Sequence, residues 1–198
     1  MKKQVEKGIK FITIISWIFI IGSVFGFFAE MLYSTIFTRA LVIRKGLIYG
    51  PFVQIYGLGA VAYYLLISNV KEPKEAFIYG MVMGGILEYL GSFFQEILFG
   101  TISWDYSKMF FNLNGRTCLL YCFYWGIIAV VYLKVVYPGL KKLEPLLHKL
   151  SVKIFTVFLV IFMTFDITIS CMAAARQEER RKDIPPKNSV DEFIDKAY

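Results

Sequence analysis

Glu30, Glu88, Glu96 and Asp166 are carboxylates set in otherwise apolar stretches of the chain. A charge at the centre of a bilayer costs about 2.5–3.5 kcal/mol on insertion scales, so such residues face a bundle interior and find partners. Glu88 and Glu96 are two helical turns apart and share a helix face, with Gln95 beside them. Close carboxylates with no cation hold a proton; with one, they form an ion pair. The cations at hand are Arg44, Lys45 and Arg116. As an acid and a base, Glu88 and Glu96 would move protons on a substrate, with Asn114 and Arg116 holding an anionic headgroup. As cavity lining, the same groups would bind a polar solute.

The stretch WDYSKMFFNLNGR, Trp104 to Arg116, adds Asp105, Tyr106, Asn112, Asn114 and Arg116 between two long apolar runs. Trp104 and Tyr106 suit a membrane interface. The asparagines and the arginine call for more, because irregular backbone at membrane depth must be satisfied by protein or by a water-filled cavity. Gln54 and Tyr56 extend the polar set into the second apolar run. Gly46, Gly50, Gly57, Gly115 and Gly126 suit tight entry turns or close helix approach, and Pro51 suits the first turn of a helix.

These groups must be positioned by membrane helices. The 198 residues are 57% hydrophobic and 18% aromatic, with mean hydropathy +0.57. A soluble domain is about 45–50% apolar. Apolar runs at 11–33, 47–69, 76–99, 117–137 and 153–175 are each long enough to span. The expected fold is an all-α membrane protein of about five transmembrane helices. Residues 1–175 form a single polytopic domain, and 176–198 a charged, partly flexible tail. Pro73 and the Pro138-Gly139 pair read as sharp breaks between helices. No small-residue cleavage site follows the first run, so it reads as a retained helix. Carried through, each acid falls in the same half of the bilayer.

The net charge of +7 does not point to nucleic acid, because the basic residues flank apolar runs, where they anchor at anionic lipid. Lys2, Lys3, Lys7 and Lys10 put the N-terminus in the cytoplasm. The basic run after Arg176 votes the other way. The expected location is the cell membrane, crossed several times. Cys118, Cys122 and Cys171 lie inside apolar runs without a metal-binding spacing, so no metal and no cofactor is expected.

FFAEMLYSTIF (Phe27 to Phe37) aligns with FFQEILFGTIS (Phe93 to Ser103), setting Glu30 over Glu96. Gly46 and Gly57 are spaced like Gly115 and Gly126, with Tyr56 and Trp125 before the second glycine of each pair. Helices one and two would then repeat as three and four, related by an axis along the membrane normal, with a fifth helix added.

RKGLIYGPFVQIYG (Arg44 to Gly57), GGILEYLGSFFQEILFG (Gly84 to Gly100) and WDYSKMFFNLNGRTCLLYCFYWG (Trp104 to Gly126) together resemble the bacterial integral-membrane family labelled ABC-transporter type IV, or CmpB-like. The resemblance covers roughly residues 10–175. This chain has Lys45-Gly46 where the family usually has Arg-Gly, and Gln54 where proline is common. The resemblance implies a permease-like or solute-binding membrane subunit. There is no ATP-binding P-loop, so a separate ATPase subunit is the expected partner, beside the lipid bilayer and, for so small a bundle, a second copy in a homo-oligomer. Two other readings stay open: an intramembrane enzyme acting on a lipid or isoprenoid-like substrate, and a structural or regulatory subunit of a membrane complex. No nucleophile triad supports the enzyme reading.

Overall fold

A computed structural model describes residues 2–41, 46–147 and 149–197. Long apolar stretches without an internal proline give helix α1 (Lys2–Thr38), α3 (Pro73–Phe99) and α6 (Leu150–Arg181). Between them lie α2 (Gln54–Leu66) and α4 (Leu119–Val131). Tyr132–Val136 forms one π-helical turn that leads into α5 (Tyr137–Leu147). A two-stranded hairpin, β1 (Asn112–Leu113) and β2 (Thr117–Cys118), precedes α4, and α7 (Ser189–Ala197) ends the chain. Four helical stretches are long and apolar enough to cross a membrane: Gln4–Thr38, Pro73–Phe99, Leu119–Leu147 and Leu150–Arg181. The protein is an all-α, multi-pass membrane protein.

The second apolar run differs from expectation. Its helix has 13 residues, about 20 Å at 1.5 Å per residue, against a hydrocarbon core of about 30 Å. The stretch from Gly46 to Val53 is irregular, and Pro51 lies in it rather than in a helical first turn. Gly50 needs its positive φ of 78° there. Irregular backbone must be satisfied locally, and α6 does so. Asp166, fully buried, accepts the Tyr49 N–H at 3.0 Å, and Ser170 Oγ accepts the Ile48 N–H at 3.0 Å. Leu47 N–H donates to Phe52 O, and Val53 N–H to Ser23 O on α1, both at 3.0 Å.

Pro138 also behaves differently. It does not break the chain: helix runs continuously from Leu119 to Leu147. The π-helical turn lies just before it, where the helix must absorb the missing N–H and ring of a proline.

Two tight helix pairs build the bundle, α1 with α2 and α3 with α4. Each is made by glycines that admit an aromatic ring. A Cβ on Gly26 would overlap the Tyr56 ring, and one on Gly84 would overlap the Trp125 ring. One turn earlier, Gly22 lies against Tyr56 O and Ala60, and Gly80 against Trp125 O and Ala129. The pairs meet through a buried core of Tyr63, Ile67, Ala76, Trp125, Ala129 and Tyr132. Tyr63 donates to Trp125 O at 2.7 Å.

The tail is held to α6. Ile194 of α7 is buried, and Asp195 takes both Arg176 and Arg180, each at 2.6 Å. Arg176 also reaches Glu179 at 2.6 Å, and Lys187 closes on Glu179 at 2.6 Å.

Candidate functional site

Helix α3 carries Glu88 into the bundle, where it is 7% exposed. Its Oε2 accepts from Thr117 Oγ1 at 2.9 Å, and its Oε1 from the Tyr106 hydroxyl at 3.5 Å. The Trp125 side chain is a third hydrogen-bond partner. The donors come from the 100–118 connection, which includes strand β2, and from helix α4. All are neutral.

Around this acid lies a group of aromatic residues. Tyr106 stacks on Tyr121, with centroids 4.4 Å apart and planes at 20°. Tyr121 hydrogen-bonds Tyr33 of α1. Tyr56 hydrogen-bonds Glu30 and lies within electrostatic reach of Glu88 and Tyr121. Its ring is 5.7 Å from that of Trp125. Glu30, Tyr56, Glu88 and Tyr106 therefore gather in one polar cluster drawn from both helix pairs. Burial, then the Glu88 carboxylate, pushes the Tyr106 phenol up from its ordinary value, so it stays a proton donor.

Glu96 lies apart from this group. It is exposed and ion-paired with Arg116, whose Nη1 also donates to Ser92 at 3.2 Å. Arg116 lies over the rings of Phe93 (5.4 Å) and Tyr89 (6.0 Å). The expected arginine partner for Glu96 is thus present, while Glu88 uses hydroxyls and an indole instead. A carboxylate inside the bundle can be neutralised by its own proton, which removes the need for a counter-charge. Arg44 and Lys45 lie outside the described residues.

The connection from Trp104 to Arg116 is braced mostly by its own polar groups. Asp105 accepts from the Ser107 N–H at 2.8 Å and from its hydroxyl at 3.0 Å, and these bonds hold its carboxyl below the usual range. Asn112 donates to Met109 O at 2.8 Å and accepts from the Gly115 N–H at 3.0 Å. Asn114 donates to the Tyr89 hydroxyl at 3.1 Å, and Trp104 to Arg116 O at 2.8 Å. Asn114 and Gly115 both adopt positive φ, 53° and 69°, to make the turn. Asp105, Asn112 and Asn114 therefore shape the connection. Tyr106 and Thr117 are the groups it delivers to Glu88.

Of the remaining sequence-derived positions, Gln54 opens α2 at the half-buried edge of the bundle. Gly57 packs against Ser23 and Phe19, and Gly126 against Phe77 and Met81. Gly46 has no room for a side chain beside Phe52 and Val53. Sequence reasoning missed Thr117, Tyr121 and the indole of Trp125 as partners of the acids. A hydroxyl or an indole next to an apolar run reads as packing until a carboxylate is seen facing it.

The family model described as Putative ABC-transporter type IV matches residues 17–171. No curated protein and no solved structure matches the chain. That stretch includes α2, α3, α4, the hairpin and both acids of the cluster, and the chain belongs to this ABC-transporter type IV family.

Proposed function

We propose that the protein is a permease-like, solute-handling membrane subunit that works with a separate ATPase. The observation that carries the reading is Glu88: a carboxylate inside the bundle, served by three donors from the 100–118 connection and α4 and within electrostatic reach of Tyr56 of the other helix pair. Polar groups inside membrane proteins are expensive and mark substrate or ion pathways. A site shared between two helix pairs is sensitive to how those pairs sit, which is what gating by rocking requires. The family description points the same way. On this reading the polar site comprises Glu30, Tyr56, Glu88 and Tyr106, with the Arg116–Glu96 pair at its rim.

The lysines at the N-terminus argue for a cytoplasmic start in the cell membrane. The ATPase would dock from that side.

The test is purification of the full chain in mild detergent from its own host, with identification of copurifying proteins and lipids. An ATPase that stays bound, and whose turnover changes when Glu88→Gln replaces the native chain, is the expected result. Recovery of the chain without any ATPase, together with headgroup turnover by the pure protein, overturns the transport reading in favour of an intramembrane enzyme.

A further inference from the structure

The packing of the two helix pairs defines an internal register that aromatic similarity does not. Gly22, Gly26, Glu30 and Ser34 of α1 lie at the same spacing as Gly80, Gly84, Glu88 and Ser92 of α3. Val24 and Leu32 match Val82 and Leu90 as well, so six of thirteen positions agree. On the partner helices, Tyr56, Gly57, Ala60 and Tyr63 of α2 correspond to Trp125, Gly126, Ala129 and Tyr132 of α4.

Contacts obey the same correspondence. Gly26 receives Tyr56, and Gly84 receives Trp125. Gly22 meets Ala60, and Gly80 meets Ala129. Glu30 is hydrogen-bonded by Tyr56, and Glu88 by Trp125. Where the pairs touch, corresponding residues touch each other: Tyr56 faces Trp125 at 5.7 Å, and Tyr63 faces Tyr132 at 5.6 Å. A residue meeting its own equivalent is the mark of a two-fold interface. This register equates Glu30 with Glu88, not with Glu96.

We infer that the chain is a fused pseudo-dimer of one helical hairpin, that each half builds the same carboxylate site on an aromatic donor, and that the Glu88 copy holds an exchangeable proton. The proton assignment rests on geometry at Glu88. Its hydrogen-bond partners Thr117, Tyr106 and Trp125 are all uncharged. The titratable groups facing the site are the Glu30 carboxyl, reached through Tyr56, the phenols of Tyr56, Tyr106 and Tyr121 and the thiols of Cys118 and Cys122. The cation next in sequence to Thr117, Arg116, is committed to Glu96 and Ser92. A buried carboxylate without a counter-charge takes up a proton instead of staying ionised. The proton joins one carboxylate oxygen on uptake and leaves from it on release, with no other bond changed. Trp125 is a positioning residue: its N–H is a donor only, so it favours the deprotonated oxygen it faces.

The experiment is pH-difference infrared spectroscopy of the full chain in lipid, read at the protonated-carboxyl stretch. The native protein gives a band that disappears as pH rises, and Glu88→Gln, close in shape, loses it. Trp125→Phe keeps the band but moves its midpoint to higher pH, a change that loosened packing alone does not give. Glu75→Gln, at the exposed start of α3, leaves band and midpoint unchanged. A native band that survives Glu88→Gln overturns the proton assignment. The duplication has its own readout in thermal unfolding in detergent: Gly26→Ala and Gly84→Ala should lower the midpoint by similar amounts. A loss at only one of the two overturns the common frame. Neither result depends on whether an ATPase docks.

Discussion

Glu88 and Asp195 are both carboxylates held in place by side chains, and the molecule treats them in opposite ways. Asp195 meets two arginines at the charged end of α6, in a network that also ties Glu179 to Arg176 and Lys187. Glu88 sits among apolar and aromatic residues and, among the described residues, meets only neutral donors. Charge pairing is the ordinary solution for a structural acid, because it offsets desolvation with attraction. The acid that forgoes it carries a standing cost. A protein that only needed packing at residue 88 would do better with leucine, so the comparison supports the role proposed for Glu88 and reads Asp195 as a fastening.

The contrast can be broken most strongly by Glu88→Ala. It leaves a hydroxyl, a phenol and an indole without their acceptor and opens a void, and each buried unpaired donor costs about 1–3 kcal/mol. Unfolding in mild detergent, followed by thiol-reactive dye, should show a loss of about 3 kcal/mol or more. Phe158→Ala on the lipid-exposed face of α6 should stay within about 0.5 kcal/mol.

A smaller loss is expected from Gly84→Ala. The added methyl group overlaps the Trp125 ring, and overpacking of this kind costs about 1–3 kcal/mol. Gly8→Ala, with open space around it, should be neutral in the same assay. Equal effects at the two glycines would mean that Trp125 is free to move away and does not hold Glu88.

The smallest effect concerns the fastening. The Arg176 guanidinium, with Arg180 behind it, holds the Asp195 carboxyl below the usual aspartate range. A depressed folded value means that the stabilisation is present above the unfolded value, about 3.9, and is lost as pH falls through the folded one. Protease cleavage in the 182–188 connection should therefore be constant from pH 5 to 8, on the order of the flat part of that titration. It should rise only in strong acid. Asp195→Asn should raise cleavage several-fold at neutral pH, and a pH-independent rate in acid would detach α7 docking from this pair.

Helix content was legible in the sequence because it follows from hydropathy, and so was the burial of Glu88, which follows from the cost of charge in lipid. Arg116 as the partner of Glu96 was legible too, as one of few available cations. The half-length of α2 was not. Hydropathy reads Leu47, Ile48 and Tyr49 as helix, whereas Asp166 and Ser170, more than 115 residues away in sequence, offer the Ile48 and Tyr49 N–H groups another acceptor. The register we infer for the repeat was also hidden. Matching Phe27 with Phe93 weights aromatic identity, but those rings face outward or half-outward. Gly22, Gly26, Gly80 and Gly84 carry the packing, and a glycine contributes little to any similarity by eye.

The short α2 has one more consequence. Helices α2 and α4 both begin with no side-chain cap on their first turns, at Gln54 and Leu119. Aligned peptide dipoles leave about half a positive elementary charge at such an end. Tyr56, in the first turn of α2, is the residue that holds Glu30, and Thr117, two residues before α4, holds Glu88. Each acid is thus tied to the positive pole of a helix. Starting α2 late sets its pole beside Glu30, as a fixed field that can favour a negative charge without any mobile side chain.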